Sequence, residues 1–274
     1  MRGYTLPELL VALVLAGLVT TAAARVLHDA HAAALGAAQG IEVEQSLRAG
    51  TAILRADLRD LDATEGDLVT IGPSAITIRA SRSLAFACRS TQWSDTGGSA
   101  VVTIRDSGAF SIRGLNPATD SVLMLDGGAA VPDSALWVGA GLRGVDPERC
   151  PDGSSGQRLT LTPRLSGGRR VALPVGTPVL GFETLSYLLY RASDGAWYAG
   201  LRDAGGVQPV VGPMPGDGLR FTYFDSTGLA TAVTDRVATI EMRMAVQAPR
   251  TLGGGGRPAA DSLLVRIFLR NNPR

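Results

Sequence analysis

The sequence predicts an α+β protein: one long N-terminal α-helix, half transmembrane and half amphipathic, packed on an antiparallel β-sheet head. Two observations predict it. An uncharged apolar run, Leu9 to Ala24, continues without proline into an Ala-, Glu-, Gln-, Leu- and Arg-rich stretch that reaches Leu61. Beyond Gly66 the pattern changes to short runs of β-branched residues set between Gly, Pro, Asp and Ser. Helix first and strands after, with no alternation between them, is the order of an α+β architecture rather than of a parallel α/β sheet.

The first element is the apolar one. Arg25 closes the uncharged run, and Val26 and Leu27 extend it. A helix that spans a bilayer needs about 20 apolar residues. Counted from Tyr4, residues 4–27 reach that length with Glu8 as the acidic residue inside the segment. Arg2 and Arg25 flank it almost symmetrically, so the charges alone set no orientation.

Residues 28–65 read as the amphipathic continuation of the same helix. Val43, Leu47, Leu54, Leu58 and Leu61 recur at helical spacing on one face, and Glu44, Arg48, Arg55 and Arg59 fall largely on the others. A single helix of about 55 residues would measure about 80 Å if straight. Gly36, Gly40 and Gly50 are expected weak points, because glycine disfavours helix interiors.

Residues 66–274 form the expected head. ITIRA, AVVTIRD, FSIRG, SVLMLD, RLTLT and RVALPV are strand candidates. In TLSYLLYRASDGAWYAGLRD, Asp194-Gly195 sits between two aromatic-rich strands and predicts a hairpin. GLRFTYFDSTGLATAV turns at Ser226 to Gly228, and RVATIEMRMAVQ and DSLLVRIFLRNN close the chain as strands across a Gly253–Gly256 loop.

Composition removes several classes of function. Of 274 residues, 26 are basic and 25 acidic, for a net charge of +1, so bulk attraction to nucleic acid or anionic lipid has no support. All the basic residues are arginine. Without lysine there is no Schiff-base chemistry, no phosphate-loop lysine and no Ser–Lys dyad. No cofactor is expected. The two cysteines, Cys88 and Cys150, lie in polar, turn-rich surroundings. In an oxidising compartment they could form a disulfide, whose loop of roughly 60 residues would stabilise the fold by about 4 kcal/mol; two unrelated thiols are the alternative.

The remaining candidate residues have bland readings beside the sharp ones. His28 and His31 lie one helical turn apart but lack further ligands to complete a metal shell, and any Ser–His–Asp triad would have to use one of them. Interfacial polar residues are the preferred reading. Gly253–Gly256 is followed by no Lys-Ser/Thr and is a flexible linker, not a phosphate loop. Asp194 and Asp225 read as turn formers before calcium ligands. Trp93, Trp137 and Trp197 are assigned to core or rim packing.

The N-terminus, MRGYTLPELL, carries the strongest signal. A secretory signal places its cleavage site after the apolar run. Here the candidate processing point, between Gly3 and Tyr4, precedes it, so cutting would leave the hydrophobic helix on the mature chain. This Gly–aromatic–Glu constellation resembles the leader of type IV pilins and pseudopilins. The resemblance implies residues 1–3 as leader, cleavage after Gly3 by a prepilin peptidase, and N-methylation of Tyr4. It implies that Glu8 pairs with the N-terminal amine of a neighbouring subunit; a Thr5-x-x-Glu8 capping box is the local alternative, compatible with the first. Towards the C-terminus, the YLLYR strand, the DGAWY hairpin, the LRFTYFDSTG turn and the closing LLVRIFLRN strand resemble PilW-type minor pilins and J-type (GspJ) type II secretion pseudopilins.

The resemblance thus implies a non-enzymatic minor pilin or pseudopilin, single-pass in the inner membrane, with an extracytoplasmic head. Its expected partners are the prepilin peptidase and other pilins, met through the N-terminal helix. The alternative is a tip pilin that binds a ligand or DNA; net charge disfavours nucleic acid, and Arg164, Arg169 and Arg170 keep it open as a local patch.

Overall fold

A computed structural model of the chain describes residues 6–94, 98–126, 137–163, 170–248 and 259–269. Helix α1, Leu6–Arg59, runs 54 residues without a break. The helical face read from spacing is the face that docks: Val43, Leu47, Leu54, Leu58 and Leu61 are each at most 5% exposed. Burying an aliphatic side chain of that size stabilises by about 1.5–3 kcal/mol, which fixes the second half of the helix to the head. The helix stops at Arg59 rather than near Gly66. Asp62 Oδ1 accepts the Thr64 and Glu65 backbone amides at 2.9 and 3.2 Å, which closes a turn where another helical turn would otherwise form.

The head is antiparallel throughout its described strands. Those are β1 (Leu68–Ile71), β2 (Ala75–Ala87), β3 (Thr91–Ser94), β4 (Ala100–Ser111), β5 (Asp120–Leu125), β6 (Trp137–Arg149) and β7 (Ser155–Pro163). They continue as β8 (Arg170–Leu173), β9 (Pro178–Arg191), β10 (Trp197–Asp203), β11 (Gly206–Met214), β12 (Leu219–Phe224), β13 (Thr239–Gln247) and β14 (Ala260–Phe268).

Two long strands organise the whole. β2 and β9, of 13 and 14 residues, pair along nearly their full length, from Ala75↔Leu188 to Phe86↔Pro178. Towards one end of this pair β1 and β10 flank them, β11 extends the sheet, and the helix packs nearby. Towards the other end β2 continues to β4, and from there β7, β6 and β5 return to β9. That ring, β2-β4-β7-β6-β5-β9, is a small closed barrel. Its inward residues alternate along the strands and are small or aliphatic, among them Ala87, Val102, Val122, Ala140 and Leu159. The β3–β8 ribbon adds Val171 and Leu173 to the same core. A third sheet, β12-β13-β14, packs its inner residues, Phe221, Met242, Met244 and Ile267, in the core shared with the helix.

Several local expectations hold. The Asp194-Gly195 turn joins β9 to β10, with Gly195 at φ +82° and its amide donating to the Ala192 carbonyl at 3.0 Å. One differs. FSIRG is not a separate strand: Phe110 and Ser111 belong to β4, which pairs with β2 on both sides of a wide register shift. The Ser226–Gly228 turn forms as read, the Gly228 amide donating to the Asp225 carbonyl at 3.0 Å. Beyond it an isolated Phe224↔Ala230 bridge forms before the chain leaves the sheet to bury Val237 completely.

Candidate assembly stem and its anchor on the head

The first half of α1 is apolar and uncovered. Leu9, Leu10, Val11, Leu13 and Val14 are each at least 55% exposed. Among the described residues α1 is the one helix long and apolar enough to cross a membrane, and none of its most hydropathic window is buried by the head. That continuous aliphatic surface fits a membrane-anchoring segment in length and composition. Glu8 sits in the first turn of the helix. Gly3 and Tyr4 lie outside the described residues.

Where the helix meets the head, apolar packing is joined by a polar anchor. Gly50 is buried; a Cβ there would lie 1.8 Å from Val211 Cγ2, so only glycine allows β11 to approach this closely. The next residue, Thr51, donates its hydroxyl to the Leu47 carbonyl at 2.7 Å and so buries no unsatisfied oxygen. Asp57 faces the sheet. Tyr187 donates its hydroxyl to Asp57 Oδ2 at 2.7 Å, and Arg82 Nη1 lies 3.5 Å from Asp57 Oδ1.

The network continues into the barrel. Arg82 Nε donates to Glu183 Oε2 at 3.2 Å, and Arg113 Nη2 donates to the same oxygen at 2.9 Å. Arg113 also makes a forked pair with Asp120, with both bonds at 2.7 Å. Asp120 and Glu183 face each other in adjacent strands, and the two arginines make that juxtaposition tolerable. Burial opposes ionisation of Asp120, but hydrogen bonds from Arg113, the Asn116 amide and Thr119 outweigh it and hold the carboxyl below its ordinary range. Burial, then the neighbouring Asp57 charge, pushes the Tyr187 phenol far up. The chain of contacts from Asp57 through Arg82, Glu183 and Arg113 to Asp120 ties the stem to both halves of the head.

Residues 1–24 match the family model for the prokaryotic N-terminal methylation motif. The match falls on the segment that carries the resemblance to type IV pilins and pseudopilins, and it supports that resemblance and processing by a prepilin peptidase. No curated protein and no solved structure matches the chain.

The other sequence candidates fall as follows. Cys88 and Cys150 form a disulfide with a Cα–Cα distance of 5.7 Å, joining the end of β2 to the end of β6. His28 and His31 are exposed on α1, and no trio of His, Cys, Asp or Glu gathers among the described residues. Asp194 and Asp225 spend their carboxylates on their own turns, Asp194 on the Ala196 amide and Tyr198 hydroxyl, Asp225 on Thr227 and the Leu229 amide. Trp137 and Trp197 are half-buried, and Trp93 belongs to β3. Arg170 opens β8, while Arg164, Arg169 and Gly253–Gly256 lie outside the described residues. Sequence reasoning missed the Asp57–Asp120 network. Its members are scattered over more than 120 residues and carry no shared spacing; the one visible signal was an acid, Asp57, turned towards the apolar face of the helix.

Proposed function

We propose that this chain is a minor pilin or pseudopilin, cut between Gly3 and Tyr4 by a prepilin peptidase, N-methylated on Tyr4 and assembled through α1 into a type IV pilus or type II secretion pseudopilus. One observation carries the reading. The methylation motif lies directly on a helix whose first half is apolar and uncovered and whose second half is fixed to a folded head. Such a stem can leave the bilayer only by exchanging lipid for the stems of other subunits, which makes an open helical array the natural product. Glu8 pairs there with the N-terminal amine of the neighbour, because a carboxylate among apolar stems needs a cation. The head lies outside the cytoplasm, anchored in the inner membrane, where the Cys88–Cys150 bond persists. Within the superfamily, the C-terminal YLLYR and LLVRIFLRN strands favour a PilW-type or J-type priming or tip component.

Mass spectrometry of the membrane-extracted protein tests the processing. The expected N-terminus is methylated Tyr4. An intact Met1, or a cut after Ala24, overturns the assignment.

A further inference from the structure

A strand at the edge of a sheet leaves one row of backbone N–H and C=O groups without a ladder partner. Proteins guard such edges with proline, charge, short length or covering chain. Most described edges of this head are guarded. β1, β3 and β8 have four residues each, and β11 carries Pro209 and Pro213. The outer side of β12 is occupied: its Phe221 amide donates to the Pro73 carbonyl at 2.8 Å, and its Tyr223 carbonyl accepts the Thr231 amide at 3.0 Å. β14 differs. It has nine residues without proline, lies at the end of the β12-β13-β14 sheet and pairs with β13 in one unbroken register.

That register identifies the free backbone groups. The Ala248 amide donates to the Ala259 carbonyl and the Leu269 amide to the Ala238 carbonyl, so odd-numbered residues of β14 bond to β13 and even-numbered ones point away. Asp261 Oδ1 accepts the Ser262 amide at 2.7 Å and closes that end of the row. The amides and carbonyls of Leu264, Arg266 and Phe268 have no backbone partner among the described residues. Their side chains are open too, Leu264 by 59% and Phe268 by 69%.

We infer that this edge accepts an extended strand of another protein, added antiparallel, with an acidic residue opposite Arg266 and apolar residues opposite Leu264 and Phe268. Main-chain bonds to the free groups supply the attachment, and the side chains across from them select the partner. The outward neighbours are fixed by the register: Arg220, Arg243 and Leu264 in one row, Thr222, Glu241 and Arg266 in the next, then Phe224, Thr239 and Phe268. Those rows hold three arginines against one acid. Glu241 engages Nε of Arg266 at 2.8 Å, which leaves the Nη groups for a second carboxylate. An acid across the new pair completes that balance, and Leu264 and Phe268 favour apolar neighbours on either side of it. A second copy of β14 is a poorer partner, because its outward residues, Ala260, Ser262, Leu264, Arg266 and Phe268, include no acid. The edge belongs to the folded head, so its use depends on neither processing nor assembly of the stem.

The test uses the full chain in detergent micelles and a fluorescent, end-blocked peptide, Thr-Val-Thr-Glu-Thr-Val-Thr, followed by anisotropy. The peptide should bind saturably. Glutamine in place of its glutamate should weaken binding about threefold, a preference that Arg266→Gln should erase. Methylating the valine and glutamate amides, which face β14 in this register, should weaken binding about tenfold or more; methylating the threonine amides, which face away, should spare it. Leu264→Pro should match the first of these from the protein side. It removes an amide that β13 does not use, so the thermal transition should shift little. Three results overturn the inference. One is no saturable binding. Another is equal binding of the two methylated peptides, which would mark apolar adsorption without strand addition; this arm uses the unaltered chain and stands whatever Leu264→Pro does to folding. The third is self-association of the chain that Leu264→Pro abolishes, which would give the edge to a second copy.

Discussion

Gly50 and Asp120 show how much single residues decide. Replacing glycine by alanine inside a helix normally stabilises it by about 1 kcal/mol. At Gly40 nothing lies within 4 Å of the added methyl, and that gain should be realised. At Gly50 the methyl would meet Val211 Cγ2 at 1.8 Å, and overpacking of this kind costs about 1–3 kcal/mol. Gly50→Ala should therefore lower the melting temperature while Gly40→Ala raises it, with Val211→Ala restoring most of the Gly50→Ala loss. Asp120 sets an acid limit. Its folded carboxyl titrates below the unfolded value of about 3.9, so its contribution is complete above about pH 4 and is lost as pH falls through the lower folded value. Asp120→Asn should cost about 2 kcal/mol at pH 7, less than a fully buried pair because Arg113 remains about one-third exposed. The same variant should flatten the stability profile below about pH 4, read by urea unfolding at several pH values.

At the scale of elements, α1 divides into a part that belongs to the head and a part that does not. Glu8 lies in the uncovered part, far from the Asp57 anchor. Glu8→Ala should leave the thermal transition of the head and the membrane-bound fraction unchanged while reducing co-purification with partner pilins. Equal co-purification would leave Glu8 only a helix-capping role. The division was legible in the sequence because apolar spacing is a local signal: Val43, Leu47, Leu54, Leu58 and Leu61 named their own face. Gly50 reads as a weak point of the helix and is instead its closest contact, because proximity to Val211 depends on a strand about 160 residues away. The strands were likewise readable one at a time. Their closure into a barrel was not, since alternation says which side faces inward and not which neighbour completes the ring. FSIRG reads as a strand of its own for a related reason: the register shift that joins Phe110 to β4 leaves no mark on composition.

For the whole molecule, the consequence of sharing β2 and β9 is mechanical and thermodynamic unity. The helix-packed core and the barrel core are separate clusters of buried side chains, yet both are built on the same two strands. Neither core can lose its strands without exposing the other, and the Asp57-to-Asp120 network crosses between them. The disulfide, by contrast, lies wholly within the barrel half, closing a sequence separation of 62 residues. Its removal releases about 4 kcal/mol of chain entropy to the unfolded state. Were the halves independent, reduction would destabilise the barrel alone and split the calorimetric trace in two. Because they share β2 and β9, reduction should instead move one undivided transition down by about 10 °C. Scanning calorimetry of the full chain with and without reductant distinguishes the two. A second transition on reduction would show that the long strands can fray at one end while holding at the other, and the stem would then be anchored to a half-head rather than to a single rigid body.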